Sequence, residues 1–304
     1  MYYIIDNSTD PQWNLAAEEY LFKKLSKPVF RLWRNKPSII IGLHQNAFAE
    51  INLDYVKSNN IPVIRRLSGG GAVFHDLGNV NFTFIDNKII GEETPAMFAR
   101  FTRPIIDALA GLGVKASLKG RNDLVIEDRK FSGNAVAVYK ERILQHGTLL
   151  FSASMANLSE ALANRPEHFK GKAVQSNRAR VTNISEHLSK PMNVDEFVAY
   201  MEQHITGGNA SKYTRYNYTS EDLSEISRLT MEKYSLDSWN FGSSPNYGYS
   251  KTSRFEWGIL ELYMEVNKGI IEDIRFYGSY FFTKETEQLE KITPVKPDIL
   301  DYPF

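Results

Sequence analysis

Arg65–Asp76 reads RRLSGGGAVFHD, three consecutive glycines set between a pair of arginines and a histidine–aspartate pair. Gly69, Gly70 and Gly71 let the backbone take positive φ and let a ligand approach closer than any side chain would permit. Successive amide N–H groups in such a turn can cradle a phosphate. A flexible turn between two strands is the other reading of three glycines taken alone. Arg65 and Arg66 before the run, Ser68 inside it, and His75 and Asp76 after it bring cationic and polar groups to one turn, which a plain connection does not need. A guanidinium beside exposed amides suits a phosphate or a carboxylate. The run lacks the GK[ST] ending of a P-loop and does not match GxGxxG with a ribose-binding acid, so neither common nucleotide fingerprint applies.

Working outward, Ile61–Ile64 reads as a strand before the loop. After it, Val80, Phe82 and Phe84 alternate with Asn81 and Thr83, the period of a half-buried strand. Upstream lie a short strand at Tyr2–Ile5, a helix opened by Asp10 and Pro11 and running to about Leu25, and apolar runs at Val29–Trp33 and Pro37–Leu43. The second of these, PSIIIGL, is continuous enough for a strand buried on both faces. A helical piece covers Leu53–Ser58. Downstream, Thr94 and Pro95 open a helix carrying Phe98, Phe101, Ile105 and Leu109, stopped at Gly111 and Gly113. Strands are predicted at Val114–Leu118, Asp123–Ile126, Phe131–Tyr139 and Ile143–Phe151, and helices at Asn157–Ala163, Asn193–Ile205 and Ser220–Tyr234. Trp239–Ser253, rich in Gly, Ser, Pro and Asn, reads as a linker with a boundary near Pro245. Phe255–Val266 and Ile270–Tyr277, joined by Asn267, Lys268 and Gly269, read as a hairpin.

Three further clusters carry chemistry. GRND (Gly120–Asp123) and KFSGN (Lys130–Asn134) flank a turn at Glu127–Arg129. Lys130 at a strand start is either a solvated charge or, on an inner sheet face, a compact cation able to hold a carboxylate and a phosphate together. In QHGTLL (Gln145–Leu150), His146 interrupts an apolar strand and is either a satisfied sheet histidine or a site residue. KAVQSNRARVTN (Lys172–Asn183) is a basic connection. The residues alone thus describe an anion-binding enzyme with a glycine loop.

The composition removes other classes. The 304 residues are 42% hydrophobic and 24% charged, an ordinary globular balance. Thirty-six basic and 36 acidic residues leave no net field for nucleic acid or an anionic membrane. The start MYYIID has no basic lead and no run approaches a membrane span, so a cytoplasmic location is expected. With no cysteine in the chain, disulfides, thiolate metal sites and cysteine nucleophiles are excluded. The six histidines show neither HxxxH nor HExxH spacing, so no zinc is expected.

RRLSGGGAVFHDLGNVNFTFI resembles the RRxSGGGAVFHDxGN signature of the lipoate-protein ligase family over its whole length, and GRND, KFSGNA, HGTLLF and RVTN recur in the family's order. NLAAEEYLF and LWRNKPSIIIG resemble its opening. Leu43 stands where family members often have arginine, and Ser154 where an aspartate often follows HGTLL. The resemblance implies an α+β fold: a large domain like that of the biotin and lipoate ligases, with mixed sheets flanked by helices (1–245), and a small C-terminal α+β domain (246–304).

It also implies an activity. Lipoate and ATP with Mg²⁺ give lipoyl-AMP and pyrophosphate, and the lipoyl group then passes to a lysine of a lipoyl domain, in 2-oxoacid dehydrogenase E2 subunits or the glycine cleavage H protein. By motif position, Arg66, Gly71, Ala72, Val73 and Phe74 would contact ATP or the adenylate. Lys130 would bind both the lipoyl carbonyl and the phosphate and act as the catalytic residue. Ser68, Gly69, Gly70 and His75 would meet lipoate, with Val73 and Phe74 lining an apolar slot. Asn122, Asp123 and His146 are further candidates, Asp123 also as a Mg²⁺ ligand. The alternatives are a cysteine-independent octanoyl or lipoyl transferase of the same fold and a non-catalytic protein that binds lipoate or lipoyl domains.

Overall fold

The computed structural model describes residues 1–45, 47–162, 181–207, 212–241, 249–267 and 270–278. β1 (Tyr2–Ile5) leads to α1 (Pro11–Lys24). Asp10 caps this helix by accepting from the amides of Gln12 at 2.9 Å and Trp13 at 3.3 Å, and Pro11 presets the first helical φ. Such a cap contributes about 1 kcal/mol. Then come β2 (Val29–Trp33), β3 (Ser38–Ile41), α2 (Ala47–Glu50), α3 (Leu53–Ser58), β4 (Val63–Arg65), β5 (Val73–His75) and β6 (Asn79–Asn87). α4 (Thr94–Gly111) precedes β7 (Ala116–Lys119), β8 (Asp123–Ile126), β9 (Arg129–Tyr139) and β10 (Arg142–Leu150). α5 (Met155–Ala161), α6 (Val194–Thr206), β11 (Thr214–Arg215), α7 (Ser220–Leu229) and α8 (Asp237–Asn240) follow, and the described part ends with β12 (Tyr249–Phe255), β13 (Gly258–Asn267) and β14 (Ile270–Gly278).

Among the described residues these strands make a mixed eight-stranded sheet, β11-β1-β2-β6-β10-β9-β8-β7, and two three-stranded sheets, β4-β3-β5 and β12-β13-β14. Strand alternation divides the large sheet into two faces. Phe30, Leu32, Phe82 and Phe84 pack on one side under Phe101 and Ile105 of α4 and Phe197 and Met201 of α6. Val29, Trp33, Ile85 and Leu144 pack on the other, against Leu15 and Leu21 of α1 and against Ile40 and Ile64 of the β4-β3-β5 sheet. The far side of that small sheet is closed by Ile39, Ile41, Val63 and Phe74 with Ala47 of α2 and Ala161 of α5. β3 is therefore buried on both faces, as its unbroken isoleucines predicted. The α+β architecture expected from the sequence is what the chain adopts.

Several segments differ from expectation: α2 and β11 were not expected, and Trp239 and Asn240, read as the start of a linker, end α8. Val73–His75, read as part of the loop, is a strand antiparallel to β3; three residues are too few to show a period. Tyr249–Ser253, read as the end of a linker, belongs to β12, which also takes Phe255 from the expected strand and pairs residue by residue with β13 from Tyr249↔Met264 to Phe255↔Gly258. A cross-strand partner there overrides a polar local composition. Of the basic run 172–183 only Val181, Thr182 and Asn183 lie within the described residues, and Lys268 and Gly269 of the expected hairpin turn lie outside them.

Candidate active site

The glycine loop joins β4 to β5 and rests on the loop after β3. Leu43 N donates to Ser68 O at 2.8 Å, and a Cβ on Gly42 would stand 2.1 Å from the Gly70 carbonyl oxygen. Only glycine at 42 allows that approach. Gly70 has φ +89°, left-handed backbone that favours glycine. Gly71 differs: it is exposed, and a Cβ there would meet nothing within 4 Å. Open space lies on the side where a side chain would stand.

Both arginines are buried; Arg65 spends its donors on main chain, and Arg66 spends its own on main chain and one hydroxyl. Arg65 donates to the carbonyls of Trp239, Gly42, Leu43, Gln45 and Asn240 at 2.7 to 3.1 Å, joining α8 to the loop after β3. Arg66 donates to Ser68 Oγ at 3.0 Å and to the carbonyls of Ile40, Gly69 and Gly71 at 3.1, 2.6 and 2.9 Å. Burial pulls each guanidinium down to about 10, which leaves both charged at neutral pH. Arg66 thus braces the loop from inside and supplies positive charge beneath it.

Ser68 ends a buried polar chain. Trp33 Nε1 donates to Thr83 Oγ1 at 3.0 Å, Thr83 Oγ1 donates to Glu18 Oε1 at 2.6 Å, and the Glu18 carboxylate lies 2.9 and 3.0 Å from His146 Nδ1. His146 Nε2 is 2.6 Å from Ser68 Oγ. Burial by itself would raise the Glu18 pKa, but His146, Thr83 and Arg31 outweigh it and hold the group below the usual carboxylate value. An ionised Glu18 needs a proton on His146 Nδ1.

Lys130 is brought to the same sheet face. β9 carries a bulge at Phe131, since Leu124 pairs with Ser132 and Val125 with Lys130. The Lys130 ammonium lies 3.2 Å from where a Cβ of Gly133 would stand. Gly133 N in turn donates to Thr148 Oγ1 at 3.2 Å, and the next same-face position on β10 is His146, opposite Ala135. Lys130 Nζ pairs with Asp123 Oδ1 at 2.7 Å, both side chains about two-fifths exposed at 42% and 40%. The turn that joins their two strands is a hairpin with Glu127 at φ 49° and Asp128 at φ 64°, the two left-handed residues of a type I′ turn. Asn122 locks against Asn134: Asn122 Nδ2 donates to Asn134 O at 2.6 Å, and Asn134 N and Nδ2 donate to Asn122 O at 3.0 and 2.9 Å. Thr182 N donates to Lys130 O at 3.0 Å, so the end of RVTN backs the same strand.

His75 accepts from Asn35 Nδ2 through Nδ1 at 3.1 Å. Asn35 Oδ1 already accepts from Asn14 Nδ2, which fixes this orientation. His75 Nε2 then carries the hydrogen, and among the described residues that buried donor has no partner. Burial, with Arg66 and His146 nearby, pushes the imidazole down to about 3, so it is neutral. Ala72 and Val73 are half-buried. Val73 faces the large sheet while Phe74 packs into the opposite core, because adjacent strand residues point to opposite faces. The expected apolar slot can therefore take the Val73 side chain but only the backbone of Phe74. Asp76 turns inward, accepting from Gly78 N at 2.9 Å and Ser154 N at 2.7 Å.

Glu18 and Thr83 were not among the residues singled out by sequence. The signal is present in α1: Asn14 and Glu18 are polar positions at i, i+4 spacing on a helix that otherwise buries Leu15, Ala16, Ala17, Leu21 and Phe22. Two polar groups on the buried stripe of such a helix must have buried partners.

The comparisons agree with this architecture. The family model for the lipoyl protein ligase A/B catalytic domain matches residues 10–206, and that for the bacterial lipoate protein ligase C-terminus matches residues 244–292. The chain is 42% identical to lipoate-protein ligase LplJ of Bacillus subtilis, over 94% of this chain and 87% of the relative. It is 39% identical to lipoate–protein ligase 1 of Staphylococcus aureus, over 94% of this chain and 86% of that one. Among solved structures it is similar to P. falciparum LipL1 in complex with lipoate, with TM-score 0.81 and 27% identity over 97% of this chain and 90% of the other. It is also similar to a lipoate-protein ligase A bound with ATP, with TM-score 0.67 and 26% identity over 80% and 98%. A glycine loop braced from within and a lysine on the large sheet, on a chain related over nearly its whole length to these proteins, make this protein a member of the lipoate-protein ligase family.

Proposed function

We propose that the chain joins lipoate and ATP into lipoyl-AMP at the face shared by the glycine loop and Lys130, and passes the lipoyl group to a lysine of a lipoyl domain. The acceptors proposed are the lipoyl domains of 2-oxoacid dehydrogenase E2 subunits and the glycine cleavage H protein. An archaeal relative from Thermoplasma acidophilum, 28% identical with TM-score 0.69, is described with its E2 lipoyl domain, which supports that acceptor class. The LipL1 and ligase A structures, with lipoate and with ATP, support the two small substrates. The proposed division is a catalytic unit over 1–245 and an accessory unit over 246–304. No helix of the described residues is long and apolar enough to cross a membrane, and the proposed setting is the cytoplasm.

The observation that carries this reading is a half-exposed ammonium, Lys130, on the sheet face that also holds up the glycine loop. Attack of a carboxylate on an α-phosphate brings two anions together. An ammonium between them lowers that repulsion and stabilises the charge that develops. To do so Lys130 exchanges Asp123 for the substrates, a move that two exposed partners make at little cost. The open space beside Gly71 has room for a phosphate or the adenylate, next to the positive charge of Arg66, which donates to the Gly71 carbonyl. The unpartnered His75 Nε2–H is a donor for a substrate oxygen, and leaving it unmet costs about 1–3 kcal/mol.

Mg²⁺ is held chiefly by substrate phosphates and waters with one or two carboxylates in sites of this kind. The described residues contain no group of three or more His, Asp or Glu fit to cage a metal, and Asp123 is the carboxylate beside Lys130 that fits the lesser role. Bound there, the ion would neutralise phosphate charge.

The test is lipoate-dependent exchange of labelled pyrophosphate into ATP. The wild-type protein is expected to exchange and Lys130→Ala to lose at least ~100-fold, the scale of one electrostatic contact in a transition state. No exchange by the wild type sinks the ligase reading; full exchange by the variant removes Lys130 from the site.

A further inference from the structure

We infer that Asn183 and Asp76 are positioning residues that fix Lys130 relative to the glycine loop, a role that rests on the ligase reading. They are the last residue of RVTN and the last residue of RRLSGGGAVFHD.

The need for such a brace arises from the order of the strands. Lys130 belongs to the eight-stranded sheet, whereas β4 and β5, which flank the glycine loop, belong to the β4-β3-β5 sheet. Within one sheet a ladder of hydrogen bonds sets spacing and register. Between these two sheets no strands pair among the described residues, and apolar side chains such as Trp33, Ile40 and Ile64 make the contact. Apolar contact is non-directional and does not by itself hold two groups to an ångström. Lys130 also lies past the end of one ladder: β10 pairs with β9 only as far as Gly147↔Asn134. Beyond it the RVTN segment takes over, with Val181 bridging Lys130 and Thr182 N donating to Lys130 O at 3.0 Å.

Four hydrogen bonds connect Lys130 to the end of the glycine loop, and the bond from Thr182 is the first. Asn183, the next residue, clamps both main-chain groups of Ala153. Ala153 N donates to Asn183 Oδ1 at 2.9 Å, and Asn183 Nδ2 donates to Ala153 O at 3.1 Å. Ser154 N then donates to Asp76 Oδ2 at 2.7 Å, and Asp76 directly follows His75, the last residue of β5. The other carboxylate oxygen accepts from Gly78 N at 2.9 Å, closing the turn by which the chain passes from the small sheet to β6 of the large one.

Both ends are anchored. Thr182 is 2% exposed, its hydroxyl lies 2.9 Å from His187 Nε2 and 3.2 Å from Glu186 Oε2, and Ser185 N donates to Phe151 O at 3.0 Å. At the turn, Phe151 N and Ser152 N donate to Gly78 O at 3.2 and 2.9 Å, and a Cβ on Gly78 would stand 2.2 Å from Ser152 O. The brace also explains Ser154, which stands where family members often have aspartate. The link uses its main-chain N–H, so the side chain can vary, and here it caps α5 by accepting from Asn157 N.

The experiment is steady-state pyrophosphate exchange with the full chain, alongside thermal unfolding, for Asn183→Ala and Asp76→Asn. Asn183→Ala removes both bonds to Ala153 and leaves Thr182 N on Lys130. Asp76→Asn keeps the shape but accepts on one oxygen only, so one of its two N–H partners is lost. Misplacement by an ångström is expected to lower kcat by ~10- to 100-fold. KM for lipoate and for ATP stays nearly unchanged, because each subsite is intact. A second measurement places Asn183→Ala in the Lys130→Ala background. With no ammonium left to misplace, the double variant is expected to match Lys130→Ala to within about twofold, whereas a purely structural loss adds in full. Asp76→Asn carries the same two measurements if Asn183→Ala does not fold. A folded variant with wild-type kcat, a loss confined to KM, or full additivity with Lys130→Ala overturns the brace and leaves the ligase reading standing. Absence of exchange in the wild type overturns both.

Discussion

Replacing Gly71 and Gly42 by alanine separates a glycine kept for a ligand from one kept for the fold. At Gly71 a Cβ meets nothing within 4 Å, so Gly71→Ala costs the fold nothing and restricts the unfolded chain. A stability change between zero and a gain of about 1 kcal/mol follows. The methyl stands in the open space where a phosphate must reach the loop. Losing one charge-assisted hydrogen bond there costs about 1.5–3 kcal/mol, roughly 10- to 150-fold in kcat/KM for ATP. At Gly42 a Cβ lies 2.1 Å from the Gly70 carbonyl oxygen and 3.1 Å from its carbon. Both atoms are backbone, so the glycine loop must shift by more than an ångström. That places Gly42→Ala at the upper end of overpacking costs, about 3 kcal/mol, or a Tm lower by roughly 6–12 °C. Thermal unfolding followed by circular dichroism gives the stabilities, and pyrophosphate exchange at varied ATP gives kcat/KM. If Gly71→Ala keeps wild-type kcat/KM for ATP within twofold, the open space beside Gly71 is not where the nucleotide binds. If it unfolds as early as Gly42→Ala, the account of the loop packing is wrong.

Two other outcomes follow from buried cations and imidazoles. His75 is neutral in the folded state with its pKa near 3, against 6.5 when unfolded. Below about pH 6.5 the unfolded chain therefore binds a proton that the folded one refuses, and stability falls as pH drops. At pH 5 this amounts to about 2 kcal/mol from this residue; urea unfolding at pH 7 and pH 5 should show the loss, and His75→Gln should reduce it by that amount. Arg65→Lys keeps the charge but has three donors for five carbonyls. A loss of about 3 kcal/mol in urea unfolding is expected, and a variant of wild-type stability would show that the guanidinium bonds contribute nothing.

Much of the site was legible in order along the chain. Three glycines between arginines and His75 announce a loop that a ligand can approach, the isoleucines of β3 announce a doubly buried strand, and the absence of cysteine removes thioester chemistry at once. These are local properties, set by backbone freedom, side-chain period and the elements present. Sequence could not sort the cations by role. Arg65, Arg66 and Lys130 look alike as charges, yet the two arginines are sealed among carbonyls while the lysine stands half-exposed beside Asp123. Nor could it reveal Glu18 as the partner of His146, 128 residues further along. That contact exists because α1 packs its Asn14–Glu18 stripe onto the face of a sheet in which β10 lies next to β6. A polar residue on a buried helix face declares in sequence that it needs a partner, since an unmet buried charge is too costly to keep; only the order of strands decides which partner it finds.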